Sequence, residues 1–457
     1  MSAIKQYIDL YGECRKALEA ESPAALNAMR SLALGELEAA VEEGKSFPES
    51  PSEDYVLVNP EKILSENYGM NTRRIKIGMP EAGKLPCSEQ AMSPLLYLLV
   101  NDCCSPAFQT EANLPERVIC GSLSEMAAIH PEIIEKYYAK QSEGISTLAA
   151  LNTLFATDGL VLYVPDGVVI NKPVQCIAYN GLTVPFLSNR RILVILGENA
   201  EASLLLCDHT AIGSAQVAVN EVAEIYAGKG SHFQFYDMEE TTSNNRRLAT
   251  VLVHQEADSE VLYNGITLSN GITRNDYRCT FAGECSSLKL MGMGIEDGNS
   301  VLETFSDVKH NVPRCQTDEL FKYAVDDSAF GSFAGRIYVA HGAENTEAYQ
   351  ANRNIVGSDT ARMYSKPQLE IYNDDVKCSH GTAIGALDPM QLFYMRTRGL
   401  DEATAKLLLK QAFMSDVLDT VRIPSLQQRL RYLVERRFAG EKTACSECHG
   451  HCEAENI

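Results

Sequence analysis

From about Gly159 to Gly399 the chain is an unbroken series of short β-rich runs, and no helical stripe separates them. Leu160-Val-Leu-Tyr-Val164, Val168-Val-Ile170, Arg191-Ile-Leu-Val-Ile-Leu196 and Ala202-Ser-Leu-Leu-Leu206 are followed by His232–Tyr236, Thr250–Val253 and Glu260–Tyr263. Turn clusters bound many of them, among them Gly197-Glu-Asn199, Gly228-Lys-Gly230, Asp326-Asp-Ser328, Gly342-Ala-Glu344 and Ser358-Asp-Thr360. The clusters recur roughly every 27–31 residues early and roughly every 16 late, with a wider gap between. Two architectures produce many strands with no helices between them: a sandwich or barrel, and a β-solenoid wound around one axis. Hairpin-type pairs at Asp166-Gly167, Asn180-Gly181, Asn264-Gly265, Asn270-Gly271 and Asp297-Gly298 favour the first. The length of the run favours the second, and periodicity alone does not choose.

Helical patterns flank this region. Ile4, Ile8, Leu10 and Leu18 fall near helical spacing, Ser22-Pro23 interrupts, and Leu26, Met29, Leu32, Leu34, Leu37 and Val41 form a second stripe. Further helices are expected near Ser122–Lys140, where Ser122 and Glu125 suggest a cap, and over Ile145–Ala156. Helix returns at Asp401 and is broken at Pro424. The expected division is 1–156 mostly helical, 157–399 a β core, 400–440 helical, and 441–457 a Cys/His-rich tail.

At 457 residues the chain exceeds one ordinary core. Its formal net charge of −21 argues against nucleic acid and against an anionic membrane surface as partners. No window of about eighteen apolar residues is present. The N-terminus has no basic region followed by an apolar one, so a cytoplasmic location is expected. Fourteen cysteines then read as reduced thiols rather than a disulfide framework.

Two groups of residues could carry chemistry. In Cys378-Ser379-His380, a strand would put the thiol and imidazole side by side on one face. That donor pair suits a soft or borderline metal, and the adjacent Asp374 and Asp375 would favour a cation. The plainer reading is a buried Cys beside a surface His, with two ordinary turn acids. The tail offers Cys445, Cys448 and Cys452 with His449 and His451, enough ligands for one zinc or iron ion; alternatively it is a thiol-rich tail that binds nothing specific. Weaker candidates are Cys103-Cys104, read as packing, Cys207-Asp208-His209, read as a strand-end turn, and Gly292-Met-Gly294, read as turn glycines. No Walker motif is present, so ATP hydrolysis by this chain is not expected.

The stretch Lys366-Pro-Gln-Leu-Glu-Ile-Tyr-Asn-Asp-Asp-Val-Lys-Cys-Ser-His-Gly381 resembles the SufD family of iron–sulfur cluster assembly scaffolds. The likeness continues through Ile384-Gly-Ala-Leu-Asp388 and Gln391-Leu-Phe-Tyr-Met-Arg-Thr-Arg-Gly399. Upstream it takes in Phe155-Ala-Thr-Asp-Gly-Leu160, Val164-Pro-Asp-Gly167, His310-Asn311 and Phe333-Ala-Gly-Arg-Ile-Tyr-Val339, so it covers about residues 145 to 438. The sister family SufB would be expected to carry Val-Glu-His-Glu where this chain has Lys377-Cys-Ser-His-Gly381. The family's N-terminal region often bears a Trp-containing segment, whereas this chain has no Trp; Phe47–Tyr55 is the comparable stretch.

The resemblance implies a right-handed parallel β-helix between helical N- and C-terminal domains, acting as a non-catalytic scaffold. It implies a heterodimer with a SufB-like subunit and docking of SufC, an ATP-binding-cassette ATPase, on helices within 401–438. ATP would then be bound by that partner and not by this chain. His380, and secondly Cys378, would sit at the SufB interface where a transient iron–sulfur cluster is built. Self-pairing of the isolated chain and contact with a reduced flavin are left open. The rival readings are a β-helix enzyme acting on carbohydrate, which the lack of Trp disfavours, and a free-standing metal-binding protein using the tail.

Overall fold

Ser22-Pro23 separates the first two helices as expected: α1 (Ala3–Ala20) ends there and α2 (Ala24–Glu42) begins just after. A computed structural model describes residues 2–73, 93, 95–105, 114–211 and 213–440. A short α3 (Pro60–Leu64) follows, then β1 (Leu95–Val100), β2 (Cys103–Ser105) and β3 (Ile119–Ser122). The stretch expected as one helix near Ser122–Lys140 is two, α4 (Leu123–Ile129) and α5 (Pro131–Tyr137), because Pro131 cannot donate to the preceding turn. Ser122 caps α4 by accepting from Glu125 N–H at 3.2 Å. Next, α6 (Thr147–Phe155) packs on α2, where the fully buried Arg30 donates to the carbonyls of Leu154 and Ala156 that end α6.

The β region is a solenoid. Sixteen strands run from β4 (Leu160–Val164) and β5 (Val174–Asn180) to β18 (Arg362–Ile371) and β19 (Val376–Gly385), two per coil. Each pairs in parallel with the strand two places along, so odd strands stack in one sheet and even strands in the other. β1 and β2 extend the odd sheet and β3 the even one; the antiparallel pairs are β1 with β2 and β3 with β4. Coil length varies: Arg246 of β10 (Asn245–Gln255) aligns with Ile272, 26 residues on, and Phe330 of β16 (Phe330–Val339) with Arg362, 32 on.

The hairpin-type dipeptides do not make hairpins. Asp297-Gly298 turns a corner from a strand of the odd sheet to one of the even sheet, with Gly298 at φ +59°. Asn264-Gly265 lies inside β11 (Glu260–Ser269), where a Cβ on Gly265 would come within 2.4 Å of the Tyr277 hydroxyl. Likewise Gly292 and Gly294 sit within β13 (Ser287–Glu296), clearing Phe321 and Leu302 on the inner face, so they are not turn glycines. One edge of the solenoid repeats a left-handed corner residue, as at Asp258, Arg314 and Asn345. Each donates its N–H to a carbonyl of the next coil, at 2.9, 2.8 and 2.7 Å.

Apolar side chains from both inner faces fill the coil interior, from Leu95 and Leu160 to Met363. The outer face of the odd sheet is covered by α8 (Glu402–Leu418) and α9 (Pro424–Phe438), which bury Met414, Leu430 and Leu433 against Leu262, Met291 and Met293. Ion pairs fasten them: Lys322 with Asp416, Lys410 with Asp326 at 2.9 Å, and Arg437 with Asp297 at 2.7 Å. Before them, α7 (Pro389–Thr397) buries no residue.

Candidate functional site at the open end of the solenoid

The last coil differs from all the others. β17 (Thr346–Val356) still alternates buried and less buried positions, whereas β19 is exposed at most of its length. Among the described residues no strand follows β18 or β19 in either sheet, so each presents a free row of backbone donors and acceptors. Pro367, Lys366 and Lys377 stand on these two edges, residues that discourage indiscriminate strand pairing. Eight of the fourteen most exposed large apolar side chains among the described residues gather here, between Tyr349 and Tyr394. Tyr372, Ile384, Met390 and Phe393 are among them.

Cys378 and His380 both lie on β19 and face inward. Thr382, two residues beyond His380, donates to Ser365 Oγ of β18 at 2.7 Å, across the coil from one sheet to the other. By strand alternation Cys378 and His380 share that side. Cys378 is half-buried against Ile337, Val339 and Ala348, and burial pushes its thiol upward from the usual range. His380 is exposed at the mouth, in register with the buried Gln350. The expected juxtaposition of thiol and imidazole is therefore present on one strand face. Asp374 and Asp375 are corner residues before β19, where the Asp375 carbonyl accepts from Asn345 N–H.

Among the described residues no group of three or more His, Cys, Asp or Glu side chains is arranged to hold a metal ion. Cys378 and His380 set a thiol and an imidazole on one strand face, with the imidazole open to solvent. The tail ligands Cys445, Cys448 and Cys452 lie outside the described residues. Cys103 and Cys104 are buried, consistent with packing. Cys207-Asp208-His209 falls within β7 (Glu201–Thr210) and not in a turn: Asp208 faces inward and ion-pairs with Arg190, while His209 is buried beside Glu240.

That ion pair belongs to a feature the sequence reading missed. Arg190 and Arg247 are held inside the solenoid by Asp208, Glu221, Asp237 and Glu239, all with side chains at most 3 % exposed. Tyr263 donates to Asp237 at 2.7 Å and Thr273 to Glu239 at 2.9 Å. Burial lifts Glu239 to about 7. The available signal was the spacing: Arg190 stands two residues before Ile192, and Asp208 two after Leu206, on the inward phase of each strand.

A helix-flanked parallel β-solenoid with a donor pair on its uncapped last coil is the class that fold and site define. The chain belongs to the SufBD family: the SufBD core domain of the SUF system for iron–sulfur cluster assembly matches residues 180–413, and the SufBD N-terminal region matches residues 1–176. It is 29 % identical to an iron–sulfur cluster assembly SufBD family protein of Synechocystis over 80 % of this chain and 82 % of the other. Similarity to the iron–sulfur cluster assembly protein SufD of Escherichia coli is 32 % identity over 40 % of this chain and 43 % of that one. For SufD of Bacillus subtilis it is 25 % over 70 % and 74 %. No helix among the described residues is long and apolar enough to cross a membrane.

Proposed function

We propose that the chain is a non-catalytic scaffold subunit of the SUF system that is completed by a SufB-like subunit at the open end of its solenoid. The carrying observation is that both sheets stop at exposed edge strands, and one of these edges holds Cys378 and His380 on its inner face. A second solenoid abutting there would continue the sheets, cover Tyr372, Ile384 and Phe393, and bring the further ligands that a nascent iron–sulfur cluster, the substrate of assembly, needs. His380 is the better placed ligand because it is exposed at the mouth, with Cys378 behind it.

A SufC-like ATPase docks on α8 and α9 in this reading. Their solvent sides expose Leu408 and Tyr432, and their inner sides are ion-paired to the odd sheet, so a pull on the helices reaches the solenoid directly. ATP is bound by that partner. The location that fits is the cytoplasm.

The test is a reconstituted complex of this chain with its SufB- and SufC-like partners. His380→Ala should abolish cluster formation, followed by visible absorbance, while both partners still co-elute. Normal cluster formation in that variant would sink the assigned role.

A further inference from the structure

The inner-face row that ends at His380 changes character along the solenoid. In register it reads Val174, Leu204, Phe235, Tyr263, Leu290, Glu319, Gln350, His380. Five coils are apolar or aromatic, and the last three are polar. Burying Glu319 and Gln350 in such an interior costs free energy unless their groups are paired. The pairing is only partial. Glu319 Oε2 accepts from Gln350 Nε2 at 2.6 Å and from Ser306 Oγ at 3.2 Å. Gln350 Oε1, in a side chain that is 2 % exposed, has no hydrogen-bond partner among the described residues.

The amide is also given room. A Cβ on Gly335 of the facing sheet would come within 2.4 Å of Gln350 Nε2, so a larger residue there would displace it. With its nitrogen turned to Glu319, the amide leaves its oxygen as a free acceptor one strand from His380. Adjacent strands are about 4.8 Å apart, a gap that two facing side chains bridge with one hydrogen bond.

We propose that Gln350 is a positioning residue for His380: its unpaired Oε1 is the acceptor that one ring N–H of His380 takes when the exposed imidazole turns toward it, and this bond fixes the tautomer. The other nitrogen then keeps its lone pair at the open end of the solenoid. Glu319, steadied by Ser306, holds the amide in the required orientation. This is the outer-shell arrangement by which proteins orient ligating imidazoles. Its consequence for assembly rests on the reading of His380 as a ligand, but the tautomer itself does not.

The experiment uses the full chain, metal-free, deuterated and labelled with ¹⁵N-histidine, with the His380 signals assigned by their loss in His380→Ala. Wild type should show one neutral tautomer of His380. Gln350→Met, which keeps the length and removes the acceptor, should give a mixture of both. Glu319→Gln, which still offers the amide an acceptor, should keep the single tautomer. Glu319→Leu, which frees the amide, is the second disrupting variant should Gln350→Met fold poorly. Identical ring ¹⁵N shifts in wild type and the disrupting variants overturn the proposal.

In the reconstituted complex Gln350→Met should slow cluster formation roughly tenfold. An unchanged rate with a shifted tautomer overturns the positioning role. Normal assembly by the His380→Ala complex would instead overturn the reading of the site and leave the tautomer result standing.

Discussion

Arg190 meets Asp208 inside the solenoid with both terminal nitrogens, at 2.9 and 3.0 Å, and neither side chain is exposed. Glu221 takes a further bond from the same guanidinium at 2.9 Å. Removing the cation alone would strand buried carboxylates, which typically costs about 3–5 kcal/mol. Arg190→Met should therefore lower the urea midpoint strongly without changing the slope. The double variant Arg190→Met, Asp208→Leu should recover more than half of the loss. A single variant as stable as wild type would show that the pair contributes nothing net.

Glu296 sets a different dependence. Burial raises its carboxyl to about 8; Glu239 and Asp297 push the same way, and Arg437 opposes them. A carboxyl raised in the folded state favours folding below its unfolded value near 4.5, and loses that contribution as pH rises through about 8. Glu296→Gln should thus gain stability relative to wild type between pH 5 and pH 9. Urea midpoints at several pH values measure the difference, and a flat difference across that range contradicts the assignment.

The irregular turn spacing in the sequence has a simple origin in this geometry. The early clusters, Gly197–Asn199 and Gly228–Gly230, mark the same edge of successive coils. Later ones alternate edges, since Asp326–Ser328 joins an odd strand to an even one and Gly342–Glu344 the reverse. The repeat was therefore half hidden. Strand lengths were hidden for another reason: β6 (Phe186–Leu196) begins five residues before Arg191, because Arg190 is paired inside the coil. Hydrophobic pattern treats such a residue as a strand end. Cys378 and His380 were legible because period-two spacing needs only a strand, whereas the Glu319–Gln350 contact depends on a register of 31 residues that local pattern does not contain.

Lys322 is 3 % exposed and reaches from β15 (Gln316–Val325) to the Phe413 carbonyl at 2.7 Å and to Asp416. It is a buried cation anchoring α8. Lys322→Met should loosen that helix, read as faster amide exchange across 405–418, while exchange inside the solenoid stays unchanged. Under the proposed function the same variant should still bind the ATPase but transmit its cycle poorly, giving ATP turnover with slower cluster formation. Unaltered exchange in α8 would refute the anchoring role.

The tail separates scaffold from metal store. Cys445, Cys448 and Cys452 are the ligands that the metal-store reading would use, and the family match to 180–413 does not include them. Deleting 441–457 should leave partner-dependent cluster formation within about twofold of wild type. Metal analysis of the purified chain before and after deletion measures what the tail binds. A deletion that abolished assembly would move the site from β19 to the tail.

The open mouth makes the last prediction. Ile384 is 48 % exposed on the inward phase of β19, beyond Thr382. A charge there costs the isolated chain little, because the side chain is already in water. In an interface that continues both sheets it would be buried without a partner, which disfavours association by several kcal/mol. Ile384→Glu should fold with the wild-type melting temperature yet fail to co-elute with the SufB-like subunit, while binding the ATPase normally through α8 and α9. If light scattering shows that the wild-type chain pairs with itself, the same substitution should yield monomers. Undiminished co-elution with the SufB-like subunit would place that partner on another surface.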